Sequence, residues 1–258
     1  MLVILLLITL LAPHLTAYAP REQNLRNRLS PPTAEHPLGT DMYGRDLLSR
    51  LLYGGRISLA VGLLSMIIAV VVGTLVGALS GYYGGWMDHV LVRFTEVVMA
   101  FPLILLALTA LALVGSSVIY LILIIGLTAW PVTARLVRGE FLRLRNQDFV
   151  QAARAVGGGD GQIIFRHLLP NALGPMVVTA TLGVAGAVLL EAALSYLGIG
   201  VQPPTPSWGN ILYEGQRYLR AGAWWYTVFP GMTIFLTVLS INLVGDALRD
   251  SFDPRQRL

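Results

Sequence analysis

Long apolar runs separated by short polar segments dominate the chain. Most runs are close to the ~20 residues that a helix needs to cross the hydrocarbon of a membrane, and they are too long for the strands of about 10 residues that build membrane barrels. The pattern therefore predicts an all-α, polytopic membrane protein with six transmembrane helices. The predicted spans are Leu2 to Leu15, Ile57 to Leu79, Val90 to Val114, Val118 to Val137, Leu173 to Leu197 and Trp225 to Val244.

The first apolar run allows two interpretations. It ends in Ala17-Tyr18-Ala19, which resembles the cleavage site of a signal peptide, but it lacks the basic segment that precedes such a core. We interpret residues 1–17 as a retained transmembrane helix, with a signal peptide as the alternative. Residues 18–56 are then an extracytoplasmic loop, residues 57–247 a transmembrane domain and residues 248–258 a cytosolic tail.

A polar island at residues 148–171 lies between the fourth and fifth runs and has the pattern of two short amphipathic helices. In the first limb, an apolar face is predicted from helical spacing for Phe149, Ala152, Ala153 and Val156. Gly157 to Gly159 interrupt this limb, either as a tight bend or as a flexible loop, because glycine favours both. The pattern predicts a hairpin (residues 148–171) that protrudes from the membrane.

The second limb of the hairpin is predicted to be a short amphipathic turn that ends at Pro170 and Asn171. Phe165, Leu168 and Leu169 are placed on one side of it, and Arg166 and His167 on another. Arginine is concentrated around this hairpin, which favours the cytosolic side. With six spans, both termini are then cytosolic.

Composition excludes most kinds of catalytic chemistry. Of 258 residues, 55% are hydrophobic and 12% charged, and the mean hydropathy is +0.67. All 18 basic residues are arginine, so the chain has no lysine for a P-loop or a Schiff base, and it has no cysteine for thiol chemistry. The four histidines are scattered. We expect no catalytic site, no metal site and no cofactor on this chain.

The net charge of +4 suits contact with lipid headgroups. A basic stripe with interleaved aromatic residues is missing from the sequence, so nucleic acid is not an expected partner.

The hairpin carries the residues of a known motif. Gln151-Ala152-Ala153, then Gly157, then His167 and Leu169-Pro170 resemble the EAA loop of binding-protein-dependent ABC importer permeases. Two positions depart from that pattern, because Gln151 replaces an acidic residue and His167 replaces isoleucine. Without the carboxylate, position 151 can offer a partner a neutral hydrogen bond but no salt bridge.

Other segments resemble the second, C-type permease of the dipeptide, oligopeptide and nickel branch. They are His36 to Asp41, Gly44 to Asp46, Ser49-Arg50, Gly55 to Leu59, Leu194 to Gly200, Pro203-Pro204, Ser207 to Gly209, Asn242 to Asp250 and Asp253-Pro254. The resemblance covers nearly the whole chain. It implies the transmembrane fold of a type I ABC importer, a homologous B-type permease, two cytosolic ATPases that bind ATP and Mg, and an extracytoplasmic solute-binding protein.

The resemblance also assigns candidate sites on the hairpin. ATPase coupling falls on Asp148, Gln151, Ala152, Ala153, Gly157, Gly158, His167, Leu169 and Pro170.

Pathway or gate candidates are Glu191, Ser195 and Tyr196. Glu191 stands out because a carboxylate within a span costs at least ~2.5 kcal/mol to insert, but a packing role remains an equal alternative. Glu96 is expected to pair with Arg93 at i, i+3.

Two segments are candidates for contact with an extracytoplasmic partner, through Asp41, Arg45 and Trp208. In the first segment, the leucine stripe from Leu47 to Leu52 has an alternative interpretation as an interfacial helix. Proline at Phe101-Pro102 and Trp130-Pro131 predicts either hinges or simple packing kinks.

The sequence thus predicts a permease subunit that imports dipeptides or oligopeptides by alternating access. A permease for nickel or another small solute is the alternative within the family. A channel or membrane scaffold that works without an ATPase is the alternative from another class.

Overall fold

The computed structural model describes residues 2–252, and the regular structure in this range is helical. An isolated antiparallel bridge between Thr40 and Asp46 is the exception. The helices are α1 (Leu2–Leu10), α2 (Ala12–Leu15), α3 (Leu47–Tyr83), α4 (Gly85–Met99), α5 (Leu103–Val114), α6 (Val118–Leu144), α7 (Asp148–Ala155), α8 (Asp160–Gln162), α9 (Leu169–Tyr196), α10 (Trp208–Gln216) and α11 (Trp225–Phe252), with 3-10 turns at Leu25–Asn27 and Leu219–Ala221 and a π-helix at Ile163–Leu168. The all-α prediction is confirmed.

Within residues 2–252, four helical segments are long and apolar enough to cross a membrane: α3, α6, the continuous segment 160–196 and α11. The pair α4 and α5 adds a fifth span if it is counted as one, with a bend of 82° between its halves. The break predicted at Phe101-Pro102 therefore exists, since Pro102 has no N–H with which to continue the ladder of α4.

The segment predicted as the first span is divided into two short helices. The nine residues of α1 are followed by the four of α2. Pro13, in the first turn of α2, lacks the N–H that would continue α1. The described residues thus give four spans, or five with the bent pair, where the sequence pattern predicted six.

Helix α3 begins at Leu47, ten residues before the predicted start. The Asp46 side chain caps it by accepting hydrogen bonds from the backbone N–H (2.7 Å) and the hydroxyl (2.8 Å) of Ser49. Leu47 and Leu51 are buried against Trp208 and its neighbours. The interfacial-helix alternative was therefore wrong, because the leucine stripe packs inside the protein. The helix that contains the second predicted span extends into the predicted loop.

The long helices approach each other closely at small residues. Along α3, Gly73, Gly77 and Gly81 face α6, and a Cβ on Gly77 would overlap the carbonyl oxygen of Ala134. Close backbone approach of this kind is how helices associate in a membrane.

Three apolar clusters fill the bundle. The loop end is formed by residues 36–50 and 197–224, and its cluster includes Trp208, Trp225 and Tyr226. The hairpin end has a cluster with Phe141, while the third joins α5, α6 and α9.

Both prolines singled out in the sequence line one cavity of about 330 Å³ between α4, α5 and α6. Pro131 lies inside α6, which continues unbroken through it, so of these two prolines only Pro102 separates two helices.

The described part of the structure ends at Phe252, the last residue of α11. Asp253-Pro254 and most of the predicted tail lie outside the described residues.

Candidate functional site

The first limb of the hairpin is α7, and it packs on the bundle through a residue outside the predicted face. Val150 is fully buried at the hairpin end, with Phe141 and Leu168 among its cluster. Phe149 is 40% exposed and Val156 87% exposed. The predicted apolar face is therefore left on the surface of this chain.

Polar residues of α7 also face outward. Asp148 opens the helix, where the helix dipole favours a carboxylate. Gln151 and Ala152 are exposed and Ala153 is half-buried. These candidates on α7 are therefore accessible to a partner, except that Ala153 is only partly so.

Gly157 and Gly158 end α7 in a Schellman motif, which is the tight bend and not a flexible loop. The Gly158 N–H donates to the Ala153 carbonyl and the Gly157 N–H to the Arg154 carbonyl, each at 2.9 Å. Gly157 has a φ of +84°, which L side chains rarely adopt. A Cβ on Gly158 would lie 2.7 Å from the Ala153 carbonyl oxygen, so each glycine is required for a different reason.

The second limb departs from its prediction in its period. Residues 163–168 form a π-helix, in which positions five apart share a face, so Ile163 and Leu168 are both buried. Phe165 is 67% exposed and does not join Leu168. The predicted faces assumed an α-helix and were wrong for Phe165.

Pro170 and Asn171 do not end this limb, because the chain continues directly into α9. Pro170 is in the first turn of α9 and cannot donate a backbone hydrogen bond. The preceding π-turn, in which the Leu169 N–H donates to the Ile164 carbonyl, provides the wider ring that fits before a proline. His167 is half-buried with its ring 6.5 Å from that of Phe149, so the two limbs meet there.

At the loop end, two arginines and two carboxylates form a buried ion cluster, defined as Asp41, Arg45, Arg50 and Glu214. Arg50 Nη1 donates to Asp41 Oδ2 and to Glu214 Oε2, both at 2.6 Å. Arg45 Nε donates to Asp41 Oδ2 at 2.5 Å and its Nη2 to Glu214 Oε2 at 3.2 Å. The Tyr226 hydroxyl adds a 2.5 Å hydrogen bond to Glu214.

The ion cluster is neutral in sum, and it joins the loop before α3 to α10 and α11. Burial acts to raise the pKa of Glu214, but the charge and hydrogen bond of Arg50, with help from Tyr226 and Arg45, leave that pKa lowered. Glu214 is therefore held as the carboxylate. Arg50 and Glu214 were missed from the sequence because they are 164 residues apart.

The proposed contact residues Asp41, Arg45 and Trp208 are all buried within this chain. The Trp208 indole N–H donates to the Leu51 carbonyl at 2.9 Å, and the ring sits in the core of the loop end. As direct contacts to another protein these three were wrong. Their contacts stabilise the loop end. In the segment before Trp208, the exposed residues are Gln202 to Pro204.

Glu191 is fully buried and satisfied by two serines. Ser58 Oγ donates to its Oε2 and Ser195 Oγ to its Oε1, both at 2.7 Å. Each serine in turn accepts a backbone N–H, Ser58 from Trp208 at 3.2 Å and Ser195 from Val201 at 3.0 Å. Glu191 thereby holds α3, α9 and the loop before α10 together.

Tyr196 and Glu96, the other polar residues singled out within the spans, do not contact Glu191. The Tyr196 hydroxyl is turned from Glu191 and donates to Gln216 Oε1 at 2.6 Å. Glu96 accepts from Arg93 at 2.8 Å on the surface, as its i, i+3 spacing predicted.

Arg138 and Asp88 form a bidentate ion pair that joins α6 to α4. Arg138 Nε donates to Asp88 Oδ1 at 2.6 Å and Nη2 donates to Oδ2 at 2.7 Å. The sequence did not predict this pair, since the two residues are 50 positions apart.

Comparisons with known proteins agree with this arrangement. Residues 73–258 match the family described as binding-protein-dependent transport system inner membrane component. The chain is 42% identical over 252 residues to a dipeptide transport system permease protein, DppC, of Alkalihalophilus pseudofirmus, which covers 98% of this chain and 83% of that protein. It is 43% identical to a putative peptide transport system permease protein of Brucella abortus, with 100% and 86% covered.

Solved structures show the same fold at lower identity. An inward-facing MetNI methionine ABC transporter matches with a TM-score of 0.60 and 21% identity, covering 77% of this chain and 94% of that one. An amino acid ABC transporter matches with a TM-score of 0.57 and 12% identity over 76% of this chain and 91% of that one. The type I importer fold and the resemblance found in the sequence are confirmed, and the chain belongs to the family of binding-protein-dependent transport system inner membrane components.

Proposed function

We propose that this chain is the C-type permease of an importer for dipeptides or oligopeptides. As a member of its family it is a multi-pass membrane transport subunit and not an enzyme. The peptide substrate is supported by the names of both relatives described above, each matched over nearly the whole chain. Alternating access would carry the substrate from a solute-binding protein to the cytosol.

The observation that carries the coupling role is the exposed apolar surface of the hairpin. Phe149, Val156 and Phe165 are exposed on the hairpin, whose other large apolar residues, Val150, Ile163 and Leu168, pack against the bundle. Large apolar side chains grouped at such a place mark a surface that another protein covers. We assign that partner as a cytosolic ATPase, with ATP and Mg bound there and not on this chain.

The complete transporter in this proposal contains a homologous B-type permease, two ATPases and an extracytoplasmic solute-binding protein. In this proposal residues 2–15 form a sixth span, so the hairpin end faces the cytosol together with both termini, and the loop end faces outward. Trp224, which is half exposed beside the start of α11, suits the extracytoplasmic interface of the membrane.

Replacing Gly157 by valine should uncouple transport from ATP hydrolysis. A β-branched residue at a φ of +84° carries strain of about 1–3 kcal/mol and would open the bend between the limbs. We expect uptake per assembled complex to fall by about tenfold, measured in vesicles that contain both permeases, the ATPases and the binding protein.

Gly161→Val is the matched control for this substitution. Gly161 lies in the same hairpin, and a Cβ there also meets open space, but its φ is not positive. Uptake by Gly157→Val equal to that of the control would contradict the coupling role. A stable permease pair that never retains an ATPase would instead support a channel or scaffold.

Topology can be tested with single cysteines, since the chain has none of its own. A cysteine at Gly158 should react with an impermeant label only from the cytosol, and one at Thr205 only from outside. The reason is that one span, the helix that includes α9, separates the two positions. Reversal of both reactions would invert the proposed orientation, and labelling of both from one side would remove that span.

A further inference from the structure

The hairpin contacts the C-terminal end of α3 through Tyr82. The Tyr82 hydroxyl donates to Asp160 Oδ1 at 2.6 Å, across 78 positions of sequence. The guanidinium of Arg154 lies over the Tyr82 ring, 5.6 Å from its centroid. Arg154 belongs to α7 and Asp160 begins the second limb. The two limbs on either side of the Gly157 bend therefore both contact the Tyr82 side chain.

The Tyr82 ring is also part of the apolar contact between hairpin and bundle. It is 7% exposed and belongs to the cluster that contains Val150 and Ile163 of the hairpin and Phe141 of α6. Apolar contacts are non-directional and allow surfaces to slide. The hydrogen bond to the Asp160 carboxylate is directional and charge-assisted, so it fixes the hairpin to one point on α3.

Helix α3 is suited to carry a displacement from that point. It has 37 residues without an internal proline, which at 1.5 Å per residue is about 55 Å. Its other end enters the buried ion cluster at Arg50, where α10 and α11 are held through Glu214 and Tyr226. One unbroken helix therefore connects the hairpin with the loop end.

We propose that Tyr82 and Asp160 form a latch through which movement of the hairpin is transmitted to α3. Both are positioning residues, since they act through α3 and not on the substrate. The latch rests on the proposed function in so far as an ATPase moves the hairpin. It adds the point at which that movement enters the transmembrane bundle.

The test is Tyr82→Phe, which removes the hydroxyl and keeps the ring, with Tyr83→Phe as the control. Tyr83 is the next residue on α3 and is 49% exposed, and within residues 2–252 its hydroxyl has no hydrogen-bond partner. In the complete complex with its ATPases, Tyr82→Phe should lower the amount of substrate moved per ATP hydrolysed by about fivefold or more. Tyr83→Phe should match the wild type, and the yield of complex should be unchanged for both.

Asp160→Asn distinguishes a latch from general packing. The double variant of Tyr82→Phe with Asp160→Asn should be no worse than Tyr82→Phe alone, because Asp160→Asn weakens the charge-assisted hydrogen bond that Tyr82→Phe removes altogether. Additive losses would overturn the latch, as would a wild-type ratio of transport to hydrolysis in Tyr82→Phe.

A second measurement separates the latch from the choice of substrate. Hydrogen exchange at residues 76–83 should respond to ATP in wild type and in Tyr83→Phe and should lose that response in Tyr82→Phe. A wild-type complex that responds to ATP but takes up no peptide contradicts the proposed substrate and leaves the latch supported. An identical response in Tyr82→Phe and wild type overturns the latch, whatever is transported.

Discussion

Replacing Arg50 by methionine is expected to destabilise the protein by about 3–5 kcal/mol, the usual cost of removing one partner from a buried charge cluster. Arg50 contacts Asp41, Glu214 and the Tyr226 hydroxyl in the interior of the loop end. Without it, two carboxylates share the single charge of Arg45. Thermal unfolding of the purified permease complex in detergent should show the loss directly.

Arg56→Met is the control, because Arg56 is an exposed arginine on the same helix, 6.0 Å from the centre of the Tyr53 ring, and within residues 2–252 its side chain forms no ion pair. The change at Arg56 should leave unfolding nearly unaltered.

A double variant of Arg50→Met with Glu214→Met restores charge balance, leaving Arg45 beside Asp41. It should recover most of the lost stability, since hydrophobic residues often replace a buried pair without net cost. If the losses of the two single variants simply add, the ion cluster is not a coupled unit.

The sequence predicted the helical fold and the place of the hairpin because both depend on local pattern. Apolar runs of span length, an amphipathic limb after Asp148 and glycines at its end all act between near neighbours. The bend at Gly157 could be expected for the same reason, although only backbone geometry shows a Schellman motif in place of a loose loop.

Long-range contacts and a change of helical period were beyond that pattern. Asp41 and Arg45 look like surface charges in a polar loop, and their burial depends on Glu214, which is 169 positions from Arg45. Phe165 was placed on the same side as Leu168 because a period of 3.6 was assumed where the chain forms a π-helix. Position 170 could have given a signal, since a proline inside a continuing helix requires a compensating distortion before it.

The first limb shows why an apolar face does not identify its own partner. Spacing found Phe149, Ala152 and Val156 on one face, and the structure leaves that face exposed while Val150 packs inward. A face that is apolar in sequence can be covered by the same chain or by another protein. Only the contacts of Val150 with the bundle decide between the two.

Glu191→Leu is expected to reduce the amount of assembled complex severely, and Glu191→Gln moderately. The carboxylate accepts one hydrogen bond from Ser58 and one from Ser195. Each serine in turn accepts a hydrogen bond from a backbone N–H of the loop end. Leucine leaves both hydroxyls without an acceptor in a buried site, at about 1–3 kcal/mol for each. Glutamine keeps one acceptor oxygen, so one serine retains its partner.

Uptake per assembled complex decides whether this carboxylate anchors packing or lines the pathway. The buried geometry favours the anchor, so Glu191→Gln should transport at the wild-type rate once corrected for yield, while thermal stability falls. Glu96→Gln is the control, because that carboxylate is exposed and contacts Arg93 at the surface, where ion pairs contribute little. Normal yield with lost uptake in Glu191→Gln would reverse the assignment and make Glu191 a gate. Wild-type yield, stability and uptake in both Glu191 variants would show that the two serine relays do not hold the loop end in place.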